Sequence, residues 1–240
     1  MDTAVVLFTR DLRLHDNPAL AAACRAARHV VPLFVLDPAV PSNPNRDRFL
    51  AESLADLRAS LRDRGANLVI RTGDPVTETL KLASEVDAGG IALAGDVSAY
   101  ARRRERRLAA EAGRRRVQVF PAVTVVPPGD LRPAGRDHYA VFTPYWRAWQ
   151  SARMRATERP PARLSLPVGV RVGDLPAANG PTAGGFAGGE AAGRARVREW
   201  LRSIGAGADG GEYGARRDDL AGDATSRLSP YLHFGCVSPL

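Results

Sequence analysis

Ala4-Val5-Val6-Leu7-Phe8, followed by Thr9-Arg10-Asp11-Leu12-Arg13-Leu14-His15-Asp16-Asn17-Pro18, is the stretch that decides the fold. Five apolar residues in a row, with no polar alternation, suit a strand buried on both faces. Such strands belong to parallel sheets with helices on either side. The polar loop after it ends in Asn17-Pro18, which reads as N-cap and first residue of a helix running to about Arg28.

The same unit recurs downstream. Val30 to Leu36 is a second buried strand. Asp47 to Arg64 is an amphipathic helix with Phe49, Leu50, Leu54, Leu57 and Leu61 on one face, stopped by Gly65. Leu68 to Ile70, Ile91 to Ala94 and Val117 to Phe120 are three further strands. Helices at Pro75 to Glu85, capped by Asp74, and at Ser98 to Ala112 separate them. Strands alternating with helices predict an α/β fold, a Rossmann-like doubly wound five-stranded parallel sheet over residues 1–130. Ligands of such sheets sit at the carboxyl ends of the strands, where the strand order reverses.

The chain has 240 residues, 45% of them hydrophobic, enough for a packed core. No apolar run approaches a membrane span, and the N-terminus lacks the pattern of a secretory signal. Cys24 and Cys236 are far apart and form no C-x-x-C, which fits a reducing cytoplasm. P-loop, G-x-S-x-G, H-E-x-x-H and zinc-like spacings are missing. Net charge is +8. Residues 1–130 carry 19 basic and 16 acidic groups and residues 131–240 carry 15 and 10, a balance that permits nucleic-acid binding. The arginines of the 102–104 cluster read mainly as a solvated helix face.

Composition shifts after Pro121. Residues 121–135 are rich in proline and glycine, and Val141 to about Met154 is a short helical piece. Residues 159–189 hold 5 prolines and 7 glycines. The segment 131–189 therefore reads as a long connector running over the surface between two domains. Glu190 to Ile204 is helical again, with Val197, Trp200, Leu201 and Ile204 on one face. So little helix cannot close a core, so residues 190–240 read as the beginning of an all-α domain and the chain as a piece of a longer one. From Gly188 onward the tail is expected to be mobile or aggregation-prone.

Thr225-Ser226-Arg227-Leu228-Ser229-Pro230-Tyr231 reads as a doubled N-cap, Thr225 and Ser226, opening a short apolar helix. Hydroxyls at Thr225, Ser226 and Ser229, a helix start and Arg227 together suit an anion. Tyr213, Arg217-Asp218 and Ser238-Pro239 flank it in order. The span Tyr213 to Pro239 resembles the flavin-binding start of the DNA photolyase/cryptochrome family. D-L-R-L-x-D-N after the first strand resembles that family's opening, a loop it places beside the helical domain. Phe142-Thr143-Pro144-Tyr145-Trp146 and Gly188-Gly189-Glu190 also resemble its signatures. The aromatic groups read as packing anchors between the domains, and His15 as a hydrogen-bonded loop residue.

The resemblance implies FAD held by Tyr213, Thr225, Ser226, Arg227, Leu228 and Ser229, and a DNA contact at Arg217. It implies light-driven splitting of cyclobutane pyrimidine dimers in UV-damaged DNA, by a cytoplasmic monomer with no membrane attachment. The damaged pair is flipped into a pocket. No catalytic residue falls within this chain. Where folate-using members show Asn-Glu, this chain has Ala99-Tyr100, which favours a deazaflavin, or no antenna, over folate. A cryptochrome, signalling through partners without repair, shares all these motifs. A nucleotide-binding α/β protein without photochemistry would share residues 1–130 but leave Tyr213 to Pro239 unexplained.

Overall fold

A computed structural model describes residues 1–179, 185–204, 213–214, 217–219 and 225–240. Five strands, β1 (Thr3–Phe8), β2 (His29–Leu36), β3 (Val69–Thr72), β4 (Gly90–Gly95) and β5 (Arg116–Pro121), form one parallel sheet in the order β3-β2-β1-β4-β5. The order reverses between β1 and β4, whose pairing runs from Ala4↔Gly90 to Leu7↔Leu93. Every residue of β1 is buried, as its unbroken apolar run requires. Side chains alternate across the sheet. Ala4, Val6 and Phe8 join one core with α1 (Pro18–Ala26) and α2 (Pro44–Arg62). Val5 and Leu7 join a second with α3 (Pro75–Glu85) and α4 (Ala99–Glu111).

The caps explain the helix starts. Asn17 accepts from the Leu20 N–H at 3.0 Å, with Pro18 in the first turn. Asp74 accepts from Thr77 N–H at 3.0 Å and Ser98 from Ala101 N–H at 3.2 Å. Helix α2 begins three residues before the expected Asp47, because Asn43-Pro44 repeats the Asn-Pro device of α1. Its first turn is exposed, so the apolar period gives no sign of it.

The connector differs from a loose surface linker. It contains α5 (Phe142–Gln150), and its later part lies along the open edge of the sheet. Val30 N–H donates to Ser165 O at 2.9 Å and Ile70 N–H to Val172 O at 2.7 Å. Arg58, buried, donates to Leu68 O and Gly173 O, both at 2.9 Å. Unpaired backbone on β3 is thereby satisfied. Helix α5 buries none of its residues, and Phe142, Trp146 and Trp149 stack on one another at 6.2 and 5.3 Å. The aromatic residues anchor no domain junction among the described residues.

Helices α6 (Glu190–Ser203) and α7 (Ser229–Phe234) dock on α2 instead of forming a free tail. Glu52 and Asp56 of α2 accept from the N–H groups of Gly188 and Glu190, each at 2.8 Å. Tyr231 and Cys236 are buried in the α1/α2-side core, and Phe49 meets Tyr231 and Phe234 at ring distances of 5.3 and 5.1 Å. A Cβ at Gly193 would come within 2.6 Å of Val237 and 2.8 Å of Tyr231, so glycine permits the α6–α7 approach. The outer half of the α6 apolar stripe stays solvent-facing, with Leu201 exposed.

Candidate functional site

A cavity of about 440 Å³ opens at the carboxyl ends of β1 to β4, where the strand order reverses. Strand ends and α2 supply an apolar floor, including Phe8, Phe34, Leu36 and Leu50. Charged groups ring the mouth. Arg10 bridges to Asp96 at 3.0 Å and donates through Nε to His233 O at 2.8 Å. The Tyr100 hydroxyl donates to Asp37, and the Arg104 guanidinium lies 5.6 Å from the Tyr100 ring centre. Burial, then the Asp37 carboxylate, push the Tyr100 phenol up to about 12, so it serves as a donor and not as a base. Burial, reinforced by Arg10 and Arg46 and opposed by Asp96, lowers His233. The first-turn position of Tyr100 on α4 and the end-of-strand position of Asp37 bring the expected antenna stretch to this cavity.

The 9–17 loop joins this cavity to α6 and α7. Arg13 is fully buried, and its guanidinium donates to four backbone carbonyls: His15 (3.1 Å), Asp16 (2.9 Å), Ala122 (2.8 Å) and Gly235 (2.9 Å). Asp11, also fully buried, accepts from Thr9 N–H at 2.8 Å and Asn17 Nδ2 at 3.1 Å. Burial raises its carboxyl against the opposing pull of Thr9, Arg13 and Asn17. Glu190, at the start of α6, accepts from Leu14 N–H at 2.7 Å and His15 N–H at 3.1 Å, and pairs with His15 Nδ1 at 2.6 Å. Asp16 binds Arg155 and Ser238. At Gly235, with φ of +68°, a Cβ would stand 1.9 Å from Arg10 O, so only glycine fits this junction. The loop does lie beside the helical segment, and His15 is the hydrogen-bonded loop residue expected.

Three of the residues singled out for a flavin, Tyr213, Thr225 and Ser226, lie against α6. Arg196 donates through Nε to Ser226 O at 2.9 Å and through Nη2 to Thr225 O at 3.3 Å. One turn later Trp200 meets Tyr213 edge-on at 5.9 Å. Residues four apart share a helix face, so Tyr213 and the Thr225-Ser226 segment hang on neighbouring turns of one helix. The expected doubled N-cap is not formed. Helix α7 starts at Ser229, four residues after Thr225, behind Leu228, which makes no side-chain cap hydrogen bond. Arg227 instead takes a left-handed φ of +49° before a right-handed Leu228. Successive N–H groups in such alternating conformations form an anion-binding concavity. The Trp200 indole N–H is buried with no acceptor among the described residues. An anion-binding backbone turn, hydroxyls at Thr225, Ser226 and Ser229, and an unused buried donor fit a dinucleotide cofactor.

Arg217 is largely exposed. Its N–H donates to Tyr213 O at 2.9 Å, and its side chain stands 3.8 Å from Asp218. Residues 215–216 and 220–224 lie outside the described residues, Arg216 of the motif among them. No metal-binding cluster and no helix long and apolar enough to cross a membrane occurs among the described residues.

A family model described as DNA photolyase matches residues 4–164. The chain belongs to the DNA photolyase family. A deoxyribodipyrimidine photo-lyase from Streptomyces griseus is 47% identical, the match covering 99% of this chain and 54% of that protein. A cryptochrome DASH from Natronomonas pharaonis is 35% identical over 100% of this chain and 55% of that protein. The class III photolyase of Agrobacterium tumefaciens superposes with a TM-score of 0.85 at 25% identity, over 100% of this chain and 52% of that one. The chain thus spans about half the length of the relatives it matches. Arg13 and Glu190 stand within stretches that resemble family signatures, although the sequence gives neither a partner; Arg196 stands in none. Arg13 carries one signal, a charge between two leucines just beyond a buried strand; Arg196 carries none.

Proposed function

We propose that this chain is the N-terminal portion of a light-dependent DNA repair enzyme that splits cyclobutane pyrimidine dimers. Residues 1–130 form its antenna domain, 131–189 the connector and 190–240 the start of the FAD domain. The observation that carries the proposal is the convergence of Tyr213 and Thr225-Ser226 on adjacent turns of α6. Reduced FAD, when bound, supplies the excited-state electron that opens the dimer and is then returned. Thr225, Ser226 and Ser229 would hold its phosphates through their hydroxyls, beside the backbone turn at Arg227 and Leu228. Tyr213, Arg227 and Leu228 line the ligand, while Arg217 contacts a DNA phosphate beside the lesion. The cavity at the strand ends takes a second, antenna chromophore, a deazaflavin in preference to folate. The protein works as a cytoplasmic monomer.

The chain by itself supplies one wall of a flavin pocket, whereas a pocket must bury most of its ligand. It is therefore inactive alone. The test substitutes Ser226→Ala and Arg227→Ala together in the full-length protein. Flavin content after purification should fall severalfold, and dimer loss from irradiated DNA under blue light should fall with it. Wild-type flavin content in the double variant would sink the assignment. The similarity to a cryptochrome DASH supports a second reading, a flavin photoreceptor; a flavin-loaded full-length protein that repairs nothing would favour it.

A further inference from the structure

Charge is distributed very unevenly over the α/β unit. Residues 98–116, helix α4 and the turn into β5, hold eight arginines and two glutamates, +6 of the chain's +8. The rest of residues 1–130 holds eleven basic and fourteen acidic groups. A composition that merely favours arginine would not leave the remainder of the same domain net acidic.

Three of the eight arginines are engaged. Arg104 lies over Tyr100, Arg107 pairs with Asp74 and Glu111 at 2.9 and 3.0 Å, and Arg115 donates to the Ser84 hydroxyl at 3.0 Å. The other five, Arg102, Arg103, Arg106, Arg114 and Arg116, have no side-chain partner among the described residues and are solvent-exposed, Arg106 included. Their placement follows from the helix period. Ala101, Leu108 and Ala112 turn the opposite face of α4 inward. Arg102, Arg103 and Arg106 therefore share the outward face, with the exposed Ala109 and Ala110 between them and Arg114. Beyond the helix, Arg114 and Arg116 extend the row to the outer strand of the sheet.

We propose that this α4–β5 ridge is a nucleic-acid contact surface that grips the phosphate backbone, separate from the lesion-binding surface of the helical domain. Unpaired guanidiniums in a row are fixed, forked donors suited to phosphate oxygens. Arg102 or Arg103 and Arg106 stand about one helical turn apart, about 5.4 Å along the axis, so each can address a separate phosphate of the backbone. Between the arginines lie alanines and no large apolar side chain, whereas a protein partner would need an apolar centre to its interface. Such a ridge confers affinity without sequence preference and lengthens the time the protein spends along undamaged duplex.

The experiment needs neither flavin nor light, so its outcome is independent of whether the full-length protein repairs dimers. The 240-residue chain is titrated into a fluorescent undamaged duplex of about 20 base pairs, and anisotropy is followed from about 50 to 200 mM salt. Arg102→Gln/Arg103→Gln/Arg106→Gln should weaken binding at least about tenfold and flatten the slope of log K against log salt by two to three units, roughly 0.9 per phosphate contact. A control triple of equally exposed arginines, Arg28→Gln/Arg62→Gln/Arg163→Gln, removes the same charge and should cost much less. Circular dichroism checks that both triples keep their helix content. Equal losses in the two triples would overturn the proposal, as would no duplex binding at the lowest salt. Polyglutamate that displaces duplex at equal charge concentration would also overturn it, in favour of an acidic protein partner.

Discussion

Replacing Arg13 by leucine should unfasten the C-terminal segment from the α/β unit. The guanidinium is fully buried and gives hydrogen bonds to four backbone carbonyls, two of them, Ala122 and Gly235, far away in sequence. Hydrogen bonds to a charged group contribute about 1.5–3 kcal/mol each, and carbonyls left buried without a donor lose that in full. The change also strips a buried positive neighbour from Asp11, whose carboxyl burial already disfavours as an anion. Removing one member of such a buried set costs about 3–5 kcal/mol. For a chain of this size, each kcal/mol lowers Tm by about 2–4 °C, so Arg13→Leu should melt roughly 6–20 °C below wild type. Arg13→Lys keeps the charge but loses the planar fork and should fall between them. A second readout locates the damage. Cys236 follows Gly235, is fully buried, and burial holds its thiol up at about 11. It should resist alkylation at neutral pH in the wild type and react readily in Arg13→Leu. A leucine variant melting within about 2 °C of wild type would refute the carbonyl clamp. An unreactive Cys236 in a destabilised variant would show that the clamp does not act through Gly235.

Two further outcomes follow from the same geometry. Arg217→Ala in the full-length protein should weaken damaged and undamaged duplex alike and reduce the salt slope by about one; unchanged affinity and slope would assign Arg217 to Asp218, 3.8 Å away. Alkaline titration should also destabilise the chain: the Cys24 and Cys236 thiols are each raised by burial from 9.0 to about 11, so the stability they contribute is whole below pH 9 and is lost as pH rises through about 11. Thermal melts at pH 8, 9.5 and 11 in wild type and in Cys24→Ala/Cys236→Ala check this, and an identical pH profile in the two would count against it.

What was legible in the sequence follows from what each signal depends on. Strand β1 announces itself because both of its faces are buried, and a doubly buried strand has no room for polar residues. Asn17-Pro18 is legible because cap and fixed φ act within three residues. The same device at Asn43-Pro44 is masked, because the first turn it opens is exposed and the hydrophobic period starts only at Phe49. The connector's path is set by pairing between Ile70 and Val172, about a hundred residues apart, and no local pattern encodes it.

The candidate flavin segment failed locally for a related reason. Thr225 and Ser226 are good caps in isolation, yet Arg196 holds their carbonyls on α6, and Arg227 then turns left-handed. A residue other than glycine, asparagine or aspartate in that conformation is uncommon, and here the surrounding contacts outweigh the local preference. Tertiary contacts thus choose a backbone turn in place of a longer helix. The choice has a consequence for chemistry. A helix begun at Thr225 would engage its carbonyls in its own ladder, whereas the turn leaves them to Arg196. The hydroxyls of Thr225 and Ser226 are likewise not spent on capping α7, whose start makes no side-chain cap hydrogen bond. Seven residues on, the other end of α7 places His233 and Phe234 on the cavity wall and Gly235 on Arg13. The arginine that fixes the turn and the arginine that fixes the cavity wall therefore act on the two ends of one short helix. Its position can be satisfied only when the helical segment is seated on the 9–17 loop.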